Sequence, residues 1–249
     1  MMKILLIQFL LLFVYINAQQ NNLVEYTITT KQGAKDVTKE YLIFNDTALY
    51  YASVVNHDNL NYEDEKLEKN QFNFEPIYVN LKTDTLYQER IGIFSKNKTN
   101  YSRFVLKEIS PKVKWKITKE TQKILGYTVY KATTKFRGRD YIAWFSPDLP
   151  YNYGPWKLGG LPGLILKVEN ELFDYDAIRI VLNSDKIPTL PILKSMENAK
   201  YQYPLRQAIE FENNWLKFLE SNVIASLSVG QNAQEEPLRR GVREFSFDE

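Results

Sequence analysis

The chain has 249 residues, with 32 basic and 30 acidic side chains, one histidine and no cysteine. Its near-zero net charge argues against a nucleic-acid partner, because phosphate binding needs a clustered basic surface. The lack of cysteine excludes disulfides, a thiol nucleophile and a cysteine-linked lipid anchor, and one histidine cannot build a transition-metal site. We therefore expect no metal and no cofactor.

The N-terminus has the layout of an export signal. Met1–Lys3 is basic, residues 4–16 are almost entirely apolar, and Ala18 precedes a polar run. This pattern predicts a signal peptide over residues 1–18 and a mature protein that begins at Gln19. The apolar run is too short to span a bilayer comfortably, and no later stretch is long enough. We expect an exported protein of the periplasm or outer envelope that is not a lipoprotein and has no integral membrane span after cleavage.

Most of the remaining chain has the pattern of β-strands, in which stretches rich in β-branched and aromatic residues alternate with polar turns. The predicted strands are Leu23–Lys31, Val37–Phe44, Thr47–Val55, Ile77–Lys82, Leu86–Phe94, Ser102–Leu106 and Lys112–Thr118, and residues 57–71 are predicted to form a polar loop. In the last of these strands, we expect Val113, Trp115 and Ile117 to face the core and the intervening lysines to face solvent.

Two hairpins are predicted next along the chain. Gly126–Phe136 and Arg139–Ser146 suit the first hairpin, and Leu164–Glu169 and Asp176–Asn183 suit the second. Residues 187–192 contain two prolines, so they are predicted to be a connector and not a central strand.

One helix is predicted late in the chain. Pro204–Ala225 carries apolar residues at helical spacing, and Pro204 suits a first helical position. The sequence therefore predicts a mainly β fold, a long, curved, half-barrel-like antiparallel sheet with this helix packed on it. We expect residues 19–226 to form one domain and residues 227–249 to be a loosely held tail.

The densest cluster of glycine and proline lies between the two hairpins. Gly154–Gly163 contains four of the ten glycines and two of the ten prolines, among tryptophan and leucine. Linkers are polar, so this apolar composition predicts a tightly folded inward loop. Within Leu161–Leu164, Pro162 and Gly163 occupy the positions that they take in a type II turn, which predicts a positive φ at Gly163. The glycine spacing matches neither common phosphate-binding pattern.

Residues 160–165 read GLPGLI, and this hexapeptide resembles the signature of the GLPGLI family of exported bacterial proteins. The resemblance extends to Trp115, ILGYTVYKA (residues 124–132), FRGRDYIAWF (136–145) and GPWKLGGLPGLIL (154–166). Val129 departs from the pattern, because a cysteine is common at that position. The resemblance implies an exported envelope protein, and it transfers no catalytic residue.

Aromatic and charged residues around the loop are the candidate binding residues. Aromatic-rich curved sheets can line apolar or sugar-binding grooves, and a buried arginine can hold loop carbonyl groups or a ligand carboxylate. The candidate groove and loop comprise Arg139, Asp140, Trp144, Tyr153, Trp156, Leu161, Pro162 and Gly163.

These features favour a non-enzymatic binding or carrier protein of the bacterial envelope. Its partner would be a small apolar ligand such as a lipid, a peptide, or an envelope protein. One alternative is a hydrolase of envelope polymers that uses Asp140, Asp148 and Glu169, and another is a structural partner of an outer-membrane complex. A hydrolase should place two acids close together in an open cleft, a carrier should have a large apolar cavity, and a structural partner should expose an apolar patch.

Overall fold

The computed structural model describes residues 20–31, 37–54, 72–94, 102–187 and 191–226. The predicted signal peptide, the polar loop over residues 57–71, His57 and the C-terminal tail lie outside the described residues. Among the helices within them, none combines the length and the apolar character needed to cross a bilayer.

Twelve strands of the described residues form one sheet. They are β1 (Asn21–Thr30), β2 (Val37–Phe44), β3 (Ala48–Val54), β4 (Phe72–Asn80), β5 (Thr85–Gly92), β6 (Ser102–Ile109), β7 (Lys116–Ile124), β8 (Tyr127–Phe136), β9 (Arg139–Ser146), β10 (Leu164–Glu169), β11 (Phe173–Ser184) and β12 (Gln202–Tyr203). The strand order is β12-β6-β5-β4-β3-β2-β1-β11-β10-β9-β8-β7. Every neighbouring pair is antiparallel except β12 with β6. The predicted fold class is confirmed.

Two short helical segments and one long helix complete the described fold. They are α1 (Pro191–Lys194), a 3₁₀ turn over Ser195–Asn198, and α2 (Leu205–Ser226). The long helix matches the predicted one, and it packs against β5 and β6. Of the connector predicted over residues 187–192, residues 188–190 lie outside the described residues, and Pro191 and Ile192 belong to α1.

The central strands are buried on both faces, which explains their nearly continuous apolar sequences. Along β2, Leu42 and Phe44 lie in one hydrophobic cluster, on what we call the inner face. Tyr41 and Ile43 lie in a second cluster on the outer face, which also contains Leu193 of α1. Period-two alternation therefore divides these strands between two cores.

The sheet curls until distant strands meet. Glu108 of β6 accepts a hydrogen bond at 2.8 Å from the guanidinium of Arg137, in the turn between β8 and β9. Seven strands lie between β6 and β9 in the sheet order. Such a contact requires strong curvature, as a half-barrel has.

The predicted inward loop between β9 and β10 lies on the inner face. Trp156, Leu158 and Leu161 are buried in the inner-face cluster. The backbone N–H of Ile165 donates to the carbonyl of Tyr153 at 3.0 Å, which fixes the loop against its own exit strand. The loop is therefore a packed part of the core.

The turn inside this loop is not the predicted type II turn. Gly163 has φ +155°, as a positive value was expected, but its N–H donates to the carbonyl of Leu161 at 2.8 Å, across one residue, as in a γ-turn. The N–H of Leu164, which a type II turn would pair with Leu161, instead donates to the carbonyl of Leu149 at 2.9 Å. A long-range partner has replaced the local hydrogen bond.

The segment before β7 also differs from its prediction. Lys112, Lys114 and Lys116 are exposed as expected, and Trp115 packs against the inner-face cluster. The strand begins only at Lys116, however, and Ile117 is 48% exposed, so its inward assignment was wrong. The Trp115 indole N–H donates to the carbonyl of Gly159 at 2.8 Å, which ties this segment to the loop and not to a neighbouring strand.

Candidate functional site

A pocket of about 570 Å³ lies between the inward loop and the turns at one end of the sheet. Its size is typical of a small-molecule site. We call it the loop pocket, and it is lined by Asp46, Leu49, Val79, Leu81, Asp84, Leu86, residues 110–113, residues 152–154 and residues 156–160. The turns after β2 and β4, the segment after β6 and the loop before β10 therefore build it together.

The wall of the loop pocket contains both apolar and polar side chains. Leu49, Val79 and Leu86 come from neighbouring strands of the inner face and are buried, as is Leu158 of the loop. Polar side chains from the strand-end turns and the loop line the same volume. The cavity thus differs from the large apolar cavity expected of a lipid carrier.

Three of the four charged side chains of the wall, those of Asp84, Lys112 and Lys157, have partners within the protein. Lys112 Nζ lies 2.5 Å from Asp84 Oδ2. The hydrogen bond from Lys112 holds the pKa of Asp84 below its usual value, so this carboxylate is ionised at neutral pH. Lys157, whose side chain is fully buried, donates to Glu108 Oε1 at 2.7 Å.

Tyr153 combines an aromatic face with a polar end at this site. Its ring lies 5.0 Å from that of Phe44 in an edge-to-face arrangement. Burial raises the pKa of Tyr153, and the negative charge of Asp46 raises it further. The phenol therefore stays protonated well above neutral pH and can both donate and accept hydrogen bonds.

Trp156 has an unusual backbone for a large side chain. Its φ is +55°, in the left-handed region that residues other than glycine seldom adopt. Its ring packs edge-to-face on Phe136 at 5.8 Å, and Lys157 Nζ lies 5.8 Å from its centroid. Its buried indole N–H has no hydrogen-bond acceptor among the described residues. Such strain and missing partners concentrate at functional sites.

The structure brings together only part of the predicted site. Tyr153 and Trp156 line the loop pocket. Arg139 is buried and pairs with Glu171, while Asp140 is exposed and Trp144 is half-buried on β9. Leu161 is buried, Pro162 is exposed and Gly163 is buried against the end of β9. None of these six residues lines the pocket.

The acids proposed for a hydrolase also lie elsewhere. Asp140 and Asp148 are exposed, and Glu169 lies 3.3 Å from Lys167 in an ion pair on β10. The described residues contain no group of three or more histidine, cysteine, aspartate or glutamate side chains that could hold a metal ion. Large exposed apolar side chains occur on several separate strands, which is ordinary for a protein surface.

Sequence reasoning missed Asp46, Asp84 and Asn152. Each lies in a polar turn or loop that follows a predicted strand, where charged and amide residues are common. The available signal was that antiparallel strands bring alternate turns to the same end of a sheet. Which turns meet over the inward loop depends on the curl of the sheet, and no local pattern encodes that.

Comparison with known proteins identifies one matching family and a solved structure with a similar fold. The family model described as "N-glycanase peptide, N-terminal domain" matches residues 40–203. A crystal structure of PNGF-II superposes with a TM-score of 0.51 at 22% identity, and covers 77% of this chain and 32% of that chain. This chain thus corresponds to about a third of PNGF-II. No curated protein matches significantly.

Two further solved structures are more distant. An uncharacterised conserved protein from Thermus thermophilus gives a TM-score of 0.36 at 6% identity, and covers 75% of this chain and 91% of that chain. A LolA superfamily protein from Nitrosomonas europaea gives 0.27 at 12% identity, covering 70% and 92%. These two likenesses are too weak to support an argument about function.

The family match overturns the resemblance to the GLPGLI family, which was wrong. That resemblance depended on a hexapeptide and a few flanking segments, whereas the matching model spans well over half of the chain. In the structure the hexapeptide serves packing, because it joins a tight turn to the start of β10. A short packing motif of this kind identifies a local structure and not a family.

Proposed function

This chain belongs to the N-glycanase peptide N-terminal domain family, and we propose that it is a non-catalytic binding domain whose loop pocket takes a compact, uncharged ligand. The observation that carries this proposal is the loop pocket itself, a volume of small-molecule size with an apolar wall and polar side chains around it. The sequence pattern at residues 1–18 supports an exported protein that acts in the cell envelope.

The pairing of wall charges supports an uncharged ligand. Asp84 is held by Lys112, and Lys157 is held by Glu108. A charged ligand would have to compete with these contacts or enter beside a like charge, and both cost free energy. A neutral ligand leaves the contacts intact.

The names of the relatives bear on the class of activity. N-glycanase and PNGF-II are names of longer proteins, and the likeness to PNGF-II covers 32% of that chain. We assign their named activity to those proteins and a binding role to this chain. In support, the acids that the sequence analysis offered for hydrolysis lie outside the loop pocket.

Binding in the loop pocket can be tested with cyclohexanol, a compact neutral probe. In a two-dimensional amide NMR titration, cyclohexanol should shift the signals of Gly159 and Gly160, and Leu81→Trp, which fills the pocket, should abolish the shifts. Pro150→Trp is the matched control, since Pro150 is exposed on the same loop outside the pocket lining. Cyclohexylamine and cyclohexanecarboxylate should bind at least about fivefold more weakly, because the amine would enter beside Lys112 and Lys157 and the carboxylate beside Asp46 and Asp84.

Two results would contradict the proposed function. One is the absence of any shift in the loop pocket with the neutral probe. The other is tighter binding of either charged probe than of cyclohexanol, which would show that the wall charges remain open to a ligand.

A further inference from the structure

A strap, which we define as residues 110–115, connects the two ends of the sheet. β6 ends at Ile109 and β7 begins at Lys116, yet nine strands lie between β6 and β7 in the sheet order. Extended backbone spans at most about 3.6 Å per residue, so the strap bridges a gap of no more than about 25 Å. It therefore crosses the open side of the curled sheet, and residues 110–113 form one wall of the loop pocket.

Both ends of the strap are fastened by hydrogen bonds. The backbone N–H of Ser110 donates to the carbonyl of Asp84 at 2.9 Å, directly beyond the last paired residues of β5 and β6. At the other end, the Trp115 indole N–H donates to the carbonyl of Gly159 at 2.8 Å. The strap is thus fixed to the turn before β5 on one side and to the inward loop on the other.

The middle of the strap has a weaker attachment than its ends. Over residues 111–113, the described part of the chain provides no backbone–backbone hydrogen bond, and Val113 packs only partly against the inner-face cluster. Lys112 Nζ reaches Asp84 Oδ2 at 2.5 Å, but the two side chains are 76% and 46% exposed. Ion pairs as exposed as this one contribute little stability and are screened by salt. Little therefore opposes an outward movement of the middle while both ends stay in place.

We propose that the middle of the strap is a lid over the loop pocket, and that the Lys112–Asp84 ion pair is its latch; this inference rests on the binding function proposed above. Both latch residues belong to the pocket lining. A ligand enters when the latch opens, and the latch re-forms over the bound ligand. A neutral ligand leaves the ion pair equally stable in the free and the bound protein. The latch therefore controls the rates of entry and exit and not the equilibrium affinity.

A lid, a rigid wall and a direct ligand contact differ in their kinetics. If the strap is a rigid wall, removing the ion pair changes neither the rates nor the affinity. If Lys112 or Asp84 binds the ligand, removing it raises the dissociation rate and weakens the affinity by the same factor. If the strap is a lid, removing the latch raises the association and dissociation rates together. Measuring both rates therefore distinguishes the three.

The lid can be tested with cyclohexanol, by analysing the amide NMR line shapes of Gly159 and Gly160 across a titration to obtain both rate constants. Lys112→Met and Asp84→Asn should each raise the association and dissociation rates about two- to fivefold, the range expected when an exposed ion pair is lost, with less than about a twofold change in the dissociation constant. Lys114→Met is the matched control, because Lys114 is an exposed lysine of the strap outside the pocket lining. It should leave both rates unchanged.

A covalent latch gives the opposite test. The chain has no cysteine, so the double variant Asp84→Cys/Lys112→Cys introduces two thiols that dibromobimane can join selectively. The joined protein should exchange cyclohexanol at least about tenfold more slowly than the same double variant before joining, because the lid then cannot open. Glu120→Cys/Lys131→Cys is the matched control, since that ion pair between β7 and β8 lies outside the pocket lining. Joining its thiols should leave the rates unchanged.

The outcomes separate the lid from the proposed function. Rates that rise together in the two latch variants and fall in the joined protein support both. Latch variants with the same rates as Lys114→Met, or a joined protein that exchanges cyclohexanol as fast as the unjoined one, overturn the lid and leave the binding pocket standing. Weaker affinity at an unchanged association rate also overturns the lid, because Lys112 or Asp84 would then be a ligand contact. Absence of any cyclohexanol shift overturns both.

Discussion

Gly163 lies where the inward loop returns against the end of β9. A Cβ placed on Gly163 would stand 2.1 Å from the carbonyl oxygen of Ser146, a backbone atom that cannot move aside easily. We expect Gly163→Ala to destabilise the protein by about 3 kcal/mol or more, at the upper end of the overpacking range. Urea denaturation measures this directly.

Gly126 provides the control for that substitution. It also has positive φ, at +84°, but an added Cβ would meet nothing within 4 Å. Gly126→Ala should therefore cost only the backbone strain, about 1 kcal/mol. Equal losses in the two variants would show that φ, and not the close approach to Ser146, explains the glycine at position 163.

Gly163 also shows how much of the loop structure a local sequence pattern can predict. The proline–glycine pair predicted a positive φ at Gly163, and that is confirmed. The turn type was wrong because the N–H of Leu164 bonds to Leu149. The close contact with Ser146 could not be predicted either, since it depends on the pairing of β9 with β10 in the folded sheet.

At the scale of elements, Glu108 connects three parts of the chain. It lies on β6, and its two carboxylate oxygens accept Lys157 of the inward loop and Arg137 of the β8–β9 turn. The side chains of Arg137, Lys157 and Glu108 are 2%, 0% and 10% exposed. Removing the charge of Glu108 would leave two buried cations without this carboxylate. We expect Glu108→Gln to destabilise the protein by about 3–5 kcal/mol.

Glu120→Gln is the matched comparison for that substitution. Glu120 pairs with Lys131 at 2.9 Å between β7 and β8, but its side chain is 59% exposed. Exposed pairs contribute about 0–1 kcal/mol, so its loss should be small. Urea denaturation of both variants tests this contrast, and similar midpoints would mean that Glu108 does not fasten the curled sheet.

Most of the strands could be predicted and the candidate site largely could not, for one physical reason. The β-branched and aromatic composition of β2 and β9 is a local property, so it marks a strand wherever the strand pairs. The loop pocket joins Asp46, Asp84 and Asn152, which lie far apart in the chain. Their meeting depends on strand order and on curvature, whereas the two predicted candidates that line the pocket, Tyr153 and Trp156, lie on the loop itself.

On the scale of the whole molecule, we expect buried tyrosines to contribute to an alkaline limit of stability. Burial raises the pKa of Tyr26 and of Tyr78, and the charge of Glu197 raises that of Tyr78 further. In the unfolded chain both phenols ionise near pH 10. Above that pH the unfolded state has released protons that the folded state retains, so stability is fully present below about pH 10 and falls as pH rises beyond it.

Tyr26→Phe should separate this effect from the hydrogen bond that the phenol makes. Tyr26 Oη donates to the carbonyl of Ile165 at 2.6 Å, so the variant should lose about 1 kcal/mol at pH 7. Between pH 9 and 11, however, the free energy of unfolding of Tyr26→Phe should fall less steeply with rising pH than that of the parent. The variant lacks the phenol proton that the parent retains when folded and releases when unfolded. Tyr201→Phe, at a tyrosine that is 47% exposed, should leave the slope unchanged. Parallel slopes for Tyr26→Phe and the parent in urea denaturation across that range would show that Tyr26 does not contribute to the alkaline limit.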